Sequence, residues 1–177
     1  MNMEFNKIYE GLERNEKWAW EMIVEQYSSR IYSYTLNFSG SRQFAEEATQ
    51  EVFFRMFKNI KKIKGNKNDF EKYLYTIARN YCIDNYRKNK NINIVEDKDY
   101  LIPKWDPDYT IKDIVWKGIN QLDKDEKELI VLREIEGFSY DEIAEILNIP
   151  VGTVKSRINR VRIKLSEIIK TLQGRKQ

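Results

Sequence analysis

The sequence predicts an all-α protein of two small helical domains joined by a flexible linker. Three observations carry this expectation. Apolar residues recur three or four apart over most of the chain, capping residues punctuate those runs, and the pattern breaks between residues 91 and 110. No alternating apolar run convincing enough for a sheet competes with it, and no internal repeat is present.

The first stripe is Ala19, Ile23, Tyr27, Ile31, Tyr34 and Phe38, following a candidate cap at Asn15. Gly40 ends this helix and Ser41 caps the next, where Phe44, Ala48, Val52, Met56 and Ile60 share a face with Ala45 and Phe57 beside them. A connection this short packs the two helices antiparallel. A Lys-rich turn over residues 61–68, containing Gly65, precedes a third helix marked by Phe70, Leu74, Ile77, Ala78 and Tyr81 and running to about Lys90. Residues 1–90 thus form one helical domain.

Between 91 and 110, Asn, Asp and Lys alternate with isolated apolar residues, and Pro103 and Pro107 interrupt any helix. This segment reads as a linker. The second domain, 111–177, opens with Ile111, Ile114, Val115, Ile119 and Leu122. Asp123 and Glu126 then supply a capping box for a helix that ends at Gly137.

Ser139 and Glu142 make a second capping box before Ile143, Ala144 and Leu147, on a helix of only about two turns. Asn148 suits the left-handed backbone of a tight turn, and Pro150 stands where a following helix begins. That spacing predicts a helix-turn-helix. In the helix starting near Val151, Val154, Ile158, Val161 and Leu165 cluster on one side. At about 100° per residue Gly152, Ser156, Asn159 and Arg160 fall opposite. Lys155 and Arg162 flank the open face on one edge, with Thr153, Arg157 and Lys164 on the other. Glu167 is the only acid after Pro150. Arg, Lys, Asn and Ser pair with base edges in the major groove, and flanking cations suit phosphates. A solvated basic face is the alternative; the turn chemistry favours DNA.

Composition narrows the function classes. The 177 residues carry 31 Lys and Arg against 28 Asp and Glu, so a polyanion must be met by local clusters. With no histidine, Ser-His and Cys-His catalysis is excluded. The single cysteine, Cys82, allows neither an intrachain disulfide nor a cysteine-based zinc site. Residues 1–13 hold no continuous apolar stretch of signal-peptide or membrane length. The expectation is a soluble protein of a reducing cytoplasm, poorly equipped for catalysis.

Three segments, AEEATQEVFFRMF at 45–57, YLYTIARNYCIDNYRK at 73–88 and FSYDEIAEILNIPVGTVKSRINRVRIKL at 138–165, together resemble the extracytoplasmic-function class of bacterial RNA polymerase sigma factors. The resemblance covers almost the whole chain in the family's order: helical sigma domain 2, linker, helix-turn-helix sigma domain 4. It implies a factor that binds core RNA polymerase, directs it to specific promoters and stabilises the melted strand. Such a factor is not an enzyme, and the resemblance implies no metal, cofactor or small-molecule substrate.

Carried over residue by residue, the resemblance implies that Glu47, Gln50 and Glu51, with Phe54 beside them, dock on the clamp of the polymerase's largest subunit. The family usually has Asp where this chain has Glu47. By itself an acidic helix face reads better as solvated surface, and only the resemblance reverses that. The third helix turns Thr76, Arg79, Asn80, Ile83 and Arg87 away from its apolar stripe. In similar proteins this face and the loop before it hold the melted minus-ten strand and capture an unstacked base. Residues 64–69 would form that pocket, with Asn66, Lys67, Tyr73, Thr76, Arg79, Asn80, Arg87 and Lys88 as contacts. Tyr73 stands where the family often has Trp. Tyr73, Tyr75 and Tyr81 are equally compatible with a core, Tyr81 most of all.

In the second domain, PVGTVKSR implies that Gly152, Thr153, Lys155, Ser156, Arg157, Asn159 and Arg160 meet double-stranded promoter DNA at the minus-thirty-five element. The helix from Lys124 to Glu136 would dock on the flap of the second-largest subunit, and the linker with Glu96, Asp97 and Asp99 would thread the RNA-exit path. An anti-sigma factor, membrane-anchored for many similar proteins, is a further implied partner. Two other functions are compatible with parts of the chain. A plain repressor or activator would bind DNA tightly without polymerase. A DNA-processing enzyme would hold magnesium through carboxylates such as Asp84 and Glu51.

Overall fold

The computed structural model describes residues 2–63, 66–88 and 111–174; the linker assigned to 91–110 lies outside them. Among the described residues every regular element is helical. The chain divides into two units, Met1–Glu96 and Asp97–Gln177.

The first unit packs four helices: α1 (Asn2–Glu13), α2 (Lys17–Ser39), α3 (Arg42–Asn59) and α4 (Lys67–Lys88), with a 3-10 turn at Ile60–Lys62. Gly40 takes φ +70° and closes α2, and the Ser41 side chain accepts the Phe44 N–H at the start of α3. The Trp20 ring of α2 meets Phe57 near the end of α3, while Thr35 reaches the Ala45 carbonyl near its start, so the pair is antiparallel. Ala19, Ile23, Tyr27 and Ile31 of α2 are fully enclosed with Ala45, Ala48, Val52 and Met56 of α3 and Phe70, Leu74 and Tyr75 of α4.

Two features differ from the sequence reading. Residues 2–13 form a helix, whose Phe5, Ile8, Tyr9 and Leu12 are buried at helical spacing. Asn15 does not cap α2 but adopts φ +58° in the turn between α1 and α2, leaving Glu16 at the N-cap. Gly11 makes that corner possible. A Cβ there would sit 2.7 Å from both Ala19 Cβ and the Trp18 ring. Such an overlap costs roughly 1–3 kcal/mol, against about 1 kcal/mol that alanine gains over glycine inside a helix. Gly11→Ala is therefore expected to lower stability by about 1 kcal/mol net, read as a lower urea midpoint with an unchanged denaturant slope.

The second unit holds α5 (Ile111–Ile119), α6 (Lys124–Ile130), α7 (Tyr140–Leu147) and α8 (Val151–Gly174). Both capping boxes form, Asp123 with Glu126 and Ser139 with Glu142. Asn148 takes φ +54° at the end of α7. Between α6 and α7 lies a π turn, Val131–Ile135, which a plain helix to Gly137 does not anticipate. The Glu136 N–H donates five residues back to Val131, and the Arg133 guanidinium closes the turn on the Phe138 carbonyl at 2.7 Å. Ile119, Leu122, Ile130 and Val161 form the core that α8 lies across, with Val115, Trp116, Leu165 and Ile168 packed against it.

Candidate nucleic-acid interface

The long α8 presents the better-defined surface. Val154, Ile158 and Val161 are buried on its inner side, and Gly152, Lys155, Ser156, Arg157, Asn159 and Arg160 are exposed, with Thr153 half-buried at the start. Inner and outer faces therefore separate as the spacing requires, and the seven nominated residues stand together over the first ten positions of one helix.

The cations divide into two sets that the sequence does not distinguish. Arg162 gives two N–H groups to Glu134 Oε1 at 2.5 and 2.9 Å and approaches the Tyr140 hydroxyl at 3.4 Å. The hydrogen bond to Glu134 raises its pKa. Lys164 holds Glu126 at 2.6 Å, which raises its pKa in the same way. These two tie α8 to α6 and the π turn, although each cation remains about half exposed. Arg160 makes only a 3.4 Å contact to the Ser156 carbonyl of its own helix. It lines, with Arg157, a groove of about 250 Å³ whose other wall carries Asp123, Asp125 and Glu126. The open face also includes Ile163, 55% exposed, which the same angular projection places in line with Ser156 and Asn159 but which a search for polar side chains passes over.

In the first unit, α4 carries the nominated strand-binding residues. Asn66 caps the helix, its Oδ1 accepting the Asp69 N–H at 2.8 Å. Lys67 sits 3.8 Å from Glu71, which also accepts from the Tyr27 hydroxyl at 2.9 Å and from Arg30 at 3.3 Å. Burial, then the nearby Glu71 charge, raises the Tyr27 pKa, so its hydroxyl stays a donor and fixes α4 to α2. Asn80, Arg87 and Lys88 are exposed, while Tyr73, Thr76 and Arg79 are half-buried, Thr76 donating to the Lys72 carbonyl. Of the tyrosines left open above, Tyr75 is fully core, edge-on to Tyr34 at 5.3 Å. Tyr81 is half-buried between Phe44 and the Arg55 guanidinium.

On α3, Glu47 and Gln50 are exposed and Glu51 is half-buried, bonded to Arg55 at 2.7 Å. Phe54 is 50% exposed, with the Lys58 ammonium 4.0 Å from its ring centroid. Gln50 also lines a hydroxyl-rich groove of about 440 Å³ with Ser28, Ser29, Tyr32 and Ser33 of α2 and Thr49 of α3. The sequence reading did not nominate these α2 residues, since serines on an amphipathic helix carry no distinct signal. Among the described residues no cluster of three or more Asp, Glu, Cys or His stands ready for a metal, and no helix is long and apolar enough to cross a membrane.

Both units match known protein families. Residues 23–92 match the Sigma-70 region 2 family and residues 112–165 the Sigma-70 region 4 family. Over 189 aligned positions the chain is 31% identical to the ECF RNA polymerase sigma factor SigW of Bacillus subtilis, covering 97% of this chain and all of that one. The chain belongs to the extracytoplasmic-function sigma factors. It is likewise 31% identical to SigE of Mycolicibacterium smegmatis over 85% of its own length, but spans only 62% of that longer relative. The sigma factor RpoE from Bartonella quintana, solved in complex with the anti-sigma factor NepR, has a TM-score of 0.68 and 25% identity, covering 85% of this chain and 96% of that one. This sigma factor is thus a regulatory protein that acts with RNA polymerase in promoter-specific transcription initiation.

Proposed function

We propose that residues 1–90 bind core polymerase and hold the melted minus-ten strand, that residues 111–177 read the minus-thirty-five duplex, and that 91–110 tether the two. The observation that carries this reading is the face of α8, where Lys155, Arg157, Asn159 and Arg160 stand exposed while Arg162 and Lys164 are held by acids of the same unit. Exposed cations supply salt-dependent phosphate contacts, and the Ser156, Asn159 and Arg160 side chains supply base choice. The α3 residues Glu47, Gln50, Glu51 and Phe54 dock on the largest-subunit clamp, an acidic and aromatic patch suited to a basic, partly apolar partner. The segment Lys124 to Glu136 docks on the second-largest-subunit flap.

The protein does no chemistry of its own; promoter opening draws on binding free energy. Unstacking a base costs a few kcal/mol, which contacts along α4 offset once the strand is captured. Tethering both units to one polymerase makes the second DNA contact effectively intramolecular, which raises apparent affinity without any new contact. An anti-sigma factor that binds this chain would hold it inactive, at the membrane if that factor is anchored there. The test is run-off transcription with core RNA polymerase and a library of random promoter fragments. Transcripts that require the chain and share two spaced sequence elements are expected. No complex with core and no transcripts would overturn the reading.

A further inference from the structure

The α1 helix meets the start of α4 and the turn before it at two places. The Tyr9 hydroxyl, on a side chain 6% exposed, donates to the Ile63 carbonyl at 2.6 Å and lies 3.2 Å from that of Ile60. Four residues earlier, one turn along the same face, the buried Phe5 ring sits edge-on to Phe70 of α4 with centroids 5.5 Å apart. Ile63 is the last described residue before positions 64 and 65, and Phe70 lies four residues beyond Asn66. Tyr9 thus holds the end of the 3-10 turn, and Phe5 holds the first turn of α4, the helix on which Lys67 stands and which Asn66 caps. Phe70 is in turn wedged against Tyr27, 5.7 Å away, so the grip is anchored in the core of the unit.

We infer that Tyr9, assisted by Phe5, is a positioning residue for minus-ten strand capture. It touches no DNA but, with Phe5, braces α1 against both the Ile60–Ile63 turn and α4, the helix that presents Asn66 and Lys67 to the strand. The inference rests on reading that edge of α4 as the minus-ten contact. Its physical basis is that a hydroxyl bonded across a sequence gap of more than fifty residues removes freedom from a turn at one point, and a contact surface held within a fraction of an ångström loses less entropy on binding.

Tyr9→Phe keeps the ring and its packing and deletes only the hydroxyl. The experiment uses full-length chain with core RNA polymerase on a promoter fragment selected by the wild-type holoenzyme. Open complexes are scored by permanganate reactivity of downstream-element thymines, and core affinity by fluorescence anisotropy. Up to about fivefold fewer open complexes are expected, the full worth of one net hydrogen bond setting the ceiling, at unchanged core affinity, with the same deficit on a fragment already unpaired over that element. A purely structural role predicts instead that core affinity falls in step, which overturns the inference. Phe5→Leu, which keeps the burial and loses the ring edge, is expected to give a smaller loss of the same kind. An Asn66→Ala, Lys67→Ala double variant runs alongside. If it is defective while Tyr9→Phe is silent, the positioning role is wrong and the strand reading stands. If both are silent, the strand reading fails and the inference fails with it.

Discussion

Replacing Asn159 and Arg160 together by alanine is expected to remove most of the discrimination between a matched and a mismatched upstream element. Both side chains are exposed on the outer face of α8, and neither forms an ion pair among the described residues. Only the weak contact of Arg160 with the Ser156 carbonyl and its place in the groove beside Asp123 are lost with them, and alanine is the better helix former at both positions. A bidentate contact to a base edge discriminates by about 1–3 kcal/mol. Adjacent residues do not act independently, so the pair together is expected to account for about 3 kcal/mol, on the order of a hundredfold in the matched-to-mismatched ratio. The measurement is holoenzyme binding to the two duplexes across a salt titration, with thermal unfolding of the free chain as control. The ratio collapses while core affinity and melting temperature hold. An unchanged ratio would mean that bases are read elsewhere on α8, and loss of core affinity would mean that this face serves the polymerase. The expected salt dependence is also graded: Arg162 and Lys164 are already paired with Glu134 and Glu126, so they should add less to the slope than Lys155 and Arg157.

That division of cations marks how far the sequence reaches. Gly40 with Ser41, Asp123 with Glu126, and Ser139 with Glu142 and Asn148 act over three or four residues, and the structure places each where local chemistry puts it. The two faces of α8 follow from periodicity in the same way. Arg162 is different. Its partner Glu134 lies 28 residues away, on a π turn whose widened hydrogen bonding has no residue signature. Angular projection puts Arg162 at the edge of the basic face and carries no sign of Glu134. The α1 helix is legible in its spacing, not in its hydropathy. Phe5, Ile8, Tyr9 and Leu12 have full helical spacing, yet a search for a continuous apolar run sees only interrupting charges. The contact of Tyr9 with Ile63 spans 54 residues and belongs to tertiary packing alone.

The second large effect is on stability, and it comes from Lys127. This residue is 8% exposed inside the second unit, and no carboxylate among the described residues forms an ion pair with it. Burial lowers its pKa from 10.5 to about 8. Below about pH 8 the folded chain therefore carries a desolvated ammonium that the unfolded chain keeps in water. From about pH 8 to 10.5 the folded state has released the proton while the unfolded state retains it, so stability rises with pH across that window. Each pH unit of difference corresponds to about 1.4 kcal/mol, so the interval carries about 3 kcal/mol at full burial and about 2 kcal/mol once partial solvent access of the ammonium is allowed for. Lys127→Met has nearly the same length and helix propensity and no charge to bury. It is expected to stabilise the chain by about 2 kcal/mol at pH 7, with the gain shrinking toward zero as the pH approaches 10.5. Taking variant minus wild type at each pH cancels the titration of exposed groups such as Lys164, which lie in both proteins. Urea unfolding at pH 7, 8, 9 and 10 reads the difference directly. A gain that stays constant with pH would mean that the ammonium reaches water and that Met acts through packing. A loss at pH 7 would mean that the ammonium is hydrogen-bonded and contributes to the fold of this unit.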